Sequence, residues 1–162
     1  MRPFALIVSC SENRVIGRDG GLPWSIPEDQ RHFHDKTSGQ IVVLGRICFE
    51  TWPQAARDGR RPIVVTSNLG LAAGPVRVCD SLPAALELAS DLPGEIYICG
   101  GERIYSEAIA MPQAFRLYLT LVHSHVAGDR FFPKWRPIFP REIERRESSG
   151  AGWNYTFLTL ER

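Results

Sequence analysis

Ile96-Tyr97-Ile98-Cys99-Gly100-Gly101-Glu102-Arg103-Ile104-Tyr105 decides the fold class. Its first four residues read as a short strand inside a sheet. Two glycines follow, and a helix is predicted from Glu102 to about Ala110, before Pro112. A strand passing through glycine into a helix is the repeating unit of α/β folds. Ile41–Leu44 does the same through Gly45, with a helix expected from Arg46 to about Trp52. Ala5–Val8, Ile63–Thr66 and Val76–Cys79 are further short apolar runs. All are continuous rather than alternating, so each is expected to be covered on both faces. Ser81 is placed to cap a helix over Leu82–Leu92, with Leu82, Leu86, Ala89 and Leu92 on one stripe. Ser25-Ile26-Pro27-Glu28 has the form of a capping box, opening a helix that runs to about Lys36.

The last third changes character. Leu117, Leu119 and Leu121 alternate with Tyr118, Thr120 and Val122, and Trp153, Tyr155 and Phe157 alternate with Asn154 and Thr156. These read as half-exposed antiparallel strands. The expected architecture is therefore α/β: a mostly parallel central sheet, flanking helices and an antiparallel C-terminal strand pair. A single domain over residues 1–162 is expected.

Composition fits that reading. The chain has 162 residues, 44% hydrophobic and 23% charged, the mix of a soluble globular protein with a sizeable core. Nineteen basic side chains against 18 acidic ones leave a net charge of +1, which argues against a nucleic-acid partner. It leaves room for a local basic pocket that takes an anionic small molecule. Cys10, Cys48, Cys79 and Cys99 form no CxxC pair and read as reduced, buried thiols. The apolar run Phe4–Val8 is too short for a signal-peptide core or a membrane span, so a cytoplasmic protein without a membrane partner is expected.

Two features point to chemistry. Glycines at the ends of strands let a phosphate approach the backbone, and a helix N-terminus offers free N–H groups with a partial positive charge. Gly100-Gly101 provides that arrangement, and Gly45-Arg46 repeats it with a cation added. Neither is a GxGxxG fingerprint or a Walker loop, and either alone is a plain strand-to-helix turn. A pair at the C-terminal ends of strands in one sheet lies where ligands of open α/β sheets bind. The second feature is Asp29 with Phe33, four residues on and hence on the same helix face. A carboxylate beside an aromatic ring suits a flat, nitrogen-rich heterocycle, the acid pairing with an N–C–N edge. An acidic residue in a first helical turn is also favoured by the dipole alone.

Together these residues belong to a longer pattern. Val15-Ile16-Gly17, Leu22-Pro23-Trp24, Pro27, Asp29 and Phe33 resemble the substrate-loop signature of dihydrofolate reductases. The similarity continues through Leu44-Gly45-Arg46, Gly59-Arg60, Thr66-Ser67, Gly100-Gly101 with Tyr105, and Leu117-Tyr118-Leu119-Thr120. It closes with Gly128-Asp129 and Phe132-Pro133. No single dipeptide is specific; the ordered set, from about residue 4 to the C-terminus, is.

The resemblance implies an NADPH-dependent reduction of dihydrofolate to tetrahydrofolate by a monomer. Asp29 would hold the pterin and assist protonation, with Thr120 supporting it, and Trp24 would sit on a mobile loop over the site. Ile7, Phe33 and Arg60 would complete the substrate site, Arg60 taking the α-carboxylate of the glutamate tail. Ser9, Ile16, Gly45, Arg46, Cys48, Thr66, Ser67, Cys99, Gly100, Gly101 and Tyr105 would hold NADPH. A cis peptide bond between Gly100 and Gly101 is also implied, as is a loop at Asp129 that steadies the mobile one. Ser9, Cys10, Gln30, Cys48, Phe49 and Glu102 depart from the family's usual residues, which bears on cofactor affinity and inhibitor fit more than on the reaction.

Other patterns carry less. His123 and His125 alternate along one strand face and are too few for a zinc site. His32 and His34 do not share a helix face. No serine sits in a Gly-x-Ser-x-Gly context, and Arg141–Glu147 reads as a solvated strand face. Two rival readings remain on the residues themselves. A pyrimidine reductase of flavin synthesis would share the NADPH half without needing the Asp29–Phe33 helix or Arg60. A binding module without catalysis would not need an acid beside a reducible bond.

Overall fold

The computed structural model describes residues 1–162. Its elements run β1 Phe4–Ser11, β2 Val15–Gly17, α1 Pro27–Thr37, β3 Ile41–Gly45, α2 Arg46–Glu50, β4 Arg61–Val65, β5 Arg77–Cys79, α3 Leu82–Ser90, β6 Ile96–Gly100, α4 Glu102–Ile109, β7 Ala114–Val122, β8 Arg130–Phe131, β9 Arg141–Gly150 and β10 Trp153–Glu161. A short 3-10 turn, Leu69–Leu71, precedes β5. One 8-stranded sheet has the order β5-β4-β3-β6-β1-β7-β10-β9, and β2 pairs with β8 separately. Neighbours from β5 to β7 are parallel, whereas β10 is antiparallel to both β7 and β9. No helix is long and apolar enough to cross a membrane.

The period of two along each strand sorts the core onto the two faces of the sheet. Phe4, Leu6 and Val8 of β1, Ile41 and Val43 of β3, and Ile96 and Ile98 of β6 join one cluster with Leu82, Leu86, Ile104 and Ala108 of α3 and α4. Ala5, Ile7 and Tyr97 point the other way, where Phe33 of α1 packs on them. Val42, Leu44 and Val64 also face that side, near α2. Ser81 caps α3 as expected, its Oγ accepting from the Ala84 N–H at 3.2 Å, a contact typically worth about 1 kcal/mol.

The structure corrects four expectations. Ser25 does not cap α1: Ile26 occupies the cap position without a side-chain bond. The capping box fails because the Glu28 carboxylate is bound by Ser148, Tyr155 and Arg146 instead of reaching back. The helix expected to reach Trp52 ends at Glu50. Strand β5 is not covered on both faces, because it pairs with β4 alone and Arg77 is exposed at the sheet edge. Nor are the two C-terminal strands half-exposed. β10 buries Thr156 along with Tyr155, Phe157 and Leu158, and β7 lies between β1 and β10 with Leu117, Leu119, Thr120, Leu121 and Val122 buried. The polar side of its alternation faces α1 rather than water, as Tyr118 packing beside Phe33 shows. By contrast, β9 is the exposed strand that its charge pattern predicts.

Candidate active site

Parallel pairing carries β3, β4 and β6 to a common end, where their chains leave through Gly45, Thr66 and Gly100. Leu44 stands opposite Gly100 in the register, so the two glycine turns lie side by side. A Cβ added to Gly45 would come within 3.9 Å of the Gly101 backbone nitrogen and 3.7 Å of the Ile104 side chain. Gly101 is the N-cap of α4, and the Gly100–Gly101 bond is cis. Cys48 sits against this diglycine: Cβ atoms on Gly100 and Gly101 would stand 3.2 and 3.3 Å from its sulfur. Bare backbone therefore faces the pocket from two directions, the cradle that a dinucleotide's phosphates require.

The cofactor candidates are not equivalent. Gly45, Cys48, Gly100 and Gly101 meet in one place, as described above. Arg46 opens α2 and is already engaged, its Nη1 donating to Glu50 Oε1 and Oε2 at 3.0 and 2.9 Å. At five residues α2 is short, so the Arg46 charge matters more than its dipole. Thr66 and Ser67 follow β4, and Thr66 Oγ1 accepts from the Asn68 N–H at 3.2 Å. Tyr105 is buried beneath the sheet and donates from its hydroxyl to the Ile7 carbonyl at 2.7 Å. It therefore braces β1, the strand bearing Ile7 and Ser9. Ile16 packs against the edge of the main core cluster. Glu102 turns its carboxylate to the Phe131 N–H at 2.9 Å.

Asp29 stands in the first turn of α1 and meets β7 beneath it. Thr120 Oγ1 donates to Asp29 Oδ1 at 2.6 Å. Burial raises the Asp29 carboxyl above the ordinary carboxylate range; the Thr120 and Ser9 hydroxyls pull the other way, and the Glu28 charge adds to the rise. Ser9 also accepts from Trp24 Nε1 at 3.0 Å. A chain of contacts thus runs Trp24–Ser9–Asp29–Thr120. Ser9, expected only among the cofactor residues, thus lies between the buried loop tryptophan and the acid.

Phe33 lies edge-on to Trp52, with ring centroids 5.0 Å apart. Arg60 is 2% exposed. Its Nε donates to Thr37 Oγ1 at 2.9 Å, Nη1 to the Arg57 carbonyl at 3.0 Å and Nη2 to His34 Nδ1 at 2.8 Å. Asp58 adds an ion pair at 3.5 Å and Trp52 a cation–π contact at 5.1 Å. The guanidinium is therefore fixed in place before any carboxylate reaches it. His34, set aside in the sequence because it shares no helix face with His32, meets the Arg60 fork, and no local signal marks it. Arg61 instead binds the Gly39 and Pro93 carbonyls. His123 bonds Glu12 and Thr156, both at 2.7 Å, and joins no metal-ligand group. Asp129 accepts from the Asp19 N–H at 3.2 Å and donates its own N–H to the Gly17 carbonyl at 2.9 Å, tying the two loops together.

Comparisons with known proteins agree with one another. The family model described as "Dihydrofolate reductase" matches residues 3–162. The dihydrofolate reductase type 3 of Salmonella typhimurium is 41% identical over 162 residues, covering 98% of each chain. A dihydrofolate reductase of Neisseria meningitidis serogroup A is 38% identical over 160 residues, covering 98% of this chain and 97% of its own. The solved dihydrofolate reductase of Enterococcus faecalis, complexed with NADP(H) and RAB-propyl, superposes with a TM-score of 0.84 at 31% identity. That match covers 99% of this chain and 96% of the other.

Proposed function

The chain belongs to the dihydrofolate reductase family, and from that premise we propose that it reduces dihydrofolate to tetrahydrofolate by hydride transfer from NADPH to the pterin, with protonation assisted by Asp29. The observation that most directly supports this is the half-buried Asp29 carboxylate bonded by Thr120 of β7, with β1 between that strand and β6, which ends at Gly100. NADPH supplies a hydride and no proton. The chain's own groups must therefore orient the pterin and manage the proton. Asp29 pairs with the pterin's ring nitrogen and amino group, while the Thr120 hydroxyl fixes the carboxylate. Phe33 and Ile7 pack on the ring, and Trp24, anchored through Ser9, excludes water above it. Gly45, Gly100 and Gly101 fit the cofactor because they bring side-chain-free backbone together at two adjoining strand ends, with the Cys48 sulfur packed against the diglycine. Cys48 and Cys99 border that cradle, with Ile16, Thr66, Ser67 and Tyr105 around it.

The Asp29–Phe33 helix and Arg60 favour a folate over the pyrimidine of flavin synthesis, which has no glutamate tail to grip. Mixing the protein with dihydrofolate and NADPH and following the loss of reduced-nicotinamide absorbance tests the reading. Stoichiometric loss with tetrahydrofolate as product is expected; no loss overturns it. We further propose one domain over residues 1–162, a cytoplasmic location and a monomer, the last checked by light scattering.

Two predictions follow from the periphery of the site. Arg46 and Ser67 recognise the 2′-phosphate of NADPH. Hydrogen bonds to charged groups contribute roughly 1.5–3 kcal/mol, so NADPH is preferred over NADH by at least about tenfold. Arg46→Ala erodes that ratio and leaves dihydrofolate affinity nearly intact, as competition kinetics with the two nucleotides will register. Equal use of both by the unmodified protein contradicts the assignment. The second concerns Arg60. Its Nη1 and Nη2 donate to Arg57 and His34 in the free protein, and a carboxylate would take over those donors through two parallel bonds, which lysine cannot reproduce. Arg60→Lys weakens dihydrofolate binding and spares a pterin without the glutamate. If titrations show both ligands losing alike, Arg60 acts through its buried contacts to Thr37 and His34.

A further inference from the structure

We propose that Glu28 is a positioning residue for the reduction: it anchors the turn that carries Asp29 to the C-terminal hairpin and sets the electrostatic surroundings of that acid. The inference rests on Asp29 being the protonation-assisting group proposed above. Glu28 Oε1 accepts from the Ser148 hydroxyl at 2.6 Å and the Tyr155 hydroxyl at 2.7 Å, and Oε2 accepts from Arg146 Nη1 at 2.8 Å. Both carboxylate oxygens are thus engaged by β9 and β10. Tyr155 is buried, and the Arg146 guanidinium lies 4.4 Å over Phe157, which in turn packs on His32 at 4.6 Å. A glutamate needs none of this merely to favour a helix dipole, which it does from solvent. The hairpin that supplies the donors is otherwise exposed and charged along β9. Its one set of hydrogen bonds to α1 falls on the residue next to Asp29.

The same donors fix the charge state. Hydrogen bonds from Ser148, Tyr155 and Arg146 pull the Glu28 carboxyl down to about 2. Glu28 therefore stays anionic throughout the working range, one residue from a carboxyl that burial already raises. An anion beside a second carboxyl disfavours its ionisation. From the other elements, Asp29 is faced by Ser9 of β1 and Thr120 of β7, and the Tyr155 hydroxyl of β10 sits on the neighbouring Glu28, all uncharged at neutral pH. Around Glu28 stand Arg146, which is cationic, and His32, which burial, Lys36 and Arg146 hold down to about 4 and so neutral. Asp35 opposes that shift from farther along α1. The local balance is thus set by Glu28 and its partner Arg146.

Single-turnover hydride transfer measured against pH tests this in the unmodified protein, Glu28→Gln, Arg146→Met and Asp29→Asn. In the unmodified protein the rate falls as pH rises and Asp29 ionises. Glu28→Gln removes the anion and should move that limb about half a unit to lower pH, a moderate effect for neighbouring charges near water. On the alkaline side this is about a threefold loss in rate, with NADPH affinity unchanged. Arg146→Met uncovers the Glu28 charge and should move the limb to higher pH, by less, because the arginine is largely exposed. Opposite shifts support the electrostatic role, since loosening of the hairpin would move both variants the same way. Unmoved limbs, or shifts in one direction, overturn it. If Asp29→Asn retains the unmodified limb, the assignment of Asp29 itself fails, and this inference with it.

Discussion

Asp29→Asn lowers turnover by about 10²–10⁴-fold, the usual contribution of a positioned acid or base, while NADPH affinity stays nearly constant. Asparagine keeps an oxygen to accept the Thr120 hydroxyl, which reaches Asp29 at 2.6 Å. It removes the charge and the exchangeable proton. The loss therefore measures the carboxyl function rather than a hole in the site. Low pH partly restores the variant, because substrate then arrives already protonated. Steady-state turnover at neutral pH checks the claim, and a variant with near-normal turnover there rules out Asp29 as the acid.

The same substitution has an opposite effect on stability. Burial raises the Asp29 carboxyl in the folded state above its ordinary value of 3.8. The sign follows from proton linkage. Below the ordinary value Asp29 is protonated both folded and unfolded, and its ionisation costs the fold nothing. As pH rises through the raised folded value, the protein must ionise a partly desolvated acid, and stability is lost. Asp29→Asn is exempt, so its melting temperature exceeds that of the unmodified protein at neutral pH. The gap closes as pH falls below the ordinary range. Stability given up for a charged group in an apolar site is the common exchange at active sites.

The parts of this fold that were legible in sequence were those set by local pattern. Ile41–Leu44 and Ile96–Cys99 are continuous apolar runs because both faces of their strands are covered, and covering leaves no polar alternation. The glycine turns were legible for the same local reason. What escaped depended on partners far along the chain. Ser25-Ile26-Pro27-Glu28 satisfies the capping-box pattern, yet donors 118 to 127 residues away claim the Glu28 carboxylate. By sequence alone the alternation in β7 describes one dry and one wet face. No local rule says that the second face is roofed by α1, which buries Thr120 against Asp29 instead of leaving it on the surface. Ser9 stands among the cofactor candidates in sequence, and only the fold brings Trp24 and Asp29 to it. The resemblance supplied Asp29, Thr120 and Arg60; it could not supply Ser9's contact with Trp24, Glu28's donors or His34 beneath Arg60, because those belong to this chain's own packing.

Gly128→Ala is the substitution with the largest expected structural effect near the site. A Cβ there would collide with the Val15 side chain and stand 2.7 Å from the Gly17 carbonyl oxygen. Val15 is fully buried, and a backbone carbonyl cannot rotate away as a flexible side chain can. The chain at Gly128 must therefore move off β2, stretching the bond from the Asp129 N–H to the Gly17 carbonyl, now 2.9 Å. Overpacking of this kind costs about 1–3 kcal/mol, or roughly 2–12 °C in melting temperature for a chain of this size. Turnover falls too, because residues 18–26 join β2 to α1 and carry Trp24, whose indole N–H holds Ser9 beside Asp29. An ångström of misplacement can cost about 10²-fold. The limb of the pH profile should stay where it is, since no charge near Asp29 has changed. Adding Val15→Ala does not restore the protein: it removes one collision, leaves the carbonyl and opens a cavity. Gly21→Ala, in the loop 18–26 that Gly128 braces but with nothing within 4 Å of its added methyl, should stay within about 0.5 kcal/mol of the parent. Calorimetry on the pair separates a tight approach at Gly128 from loops at this end that resent any added side chain, and equal losses in the two variants would refute the first.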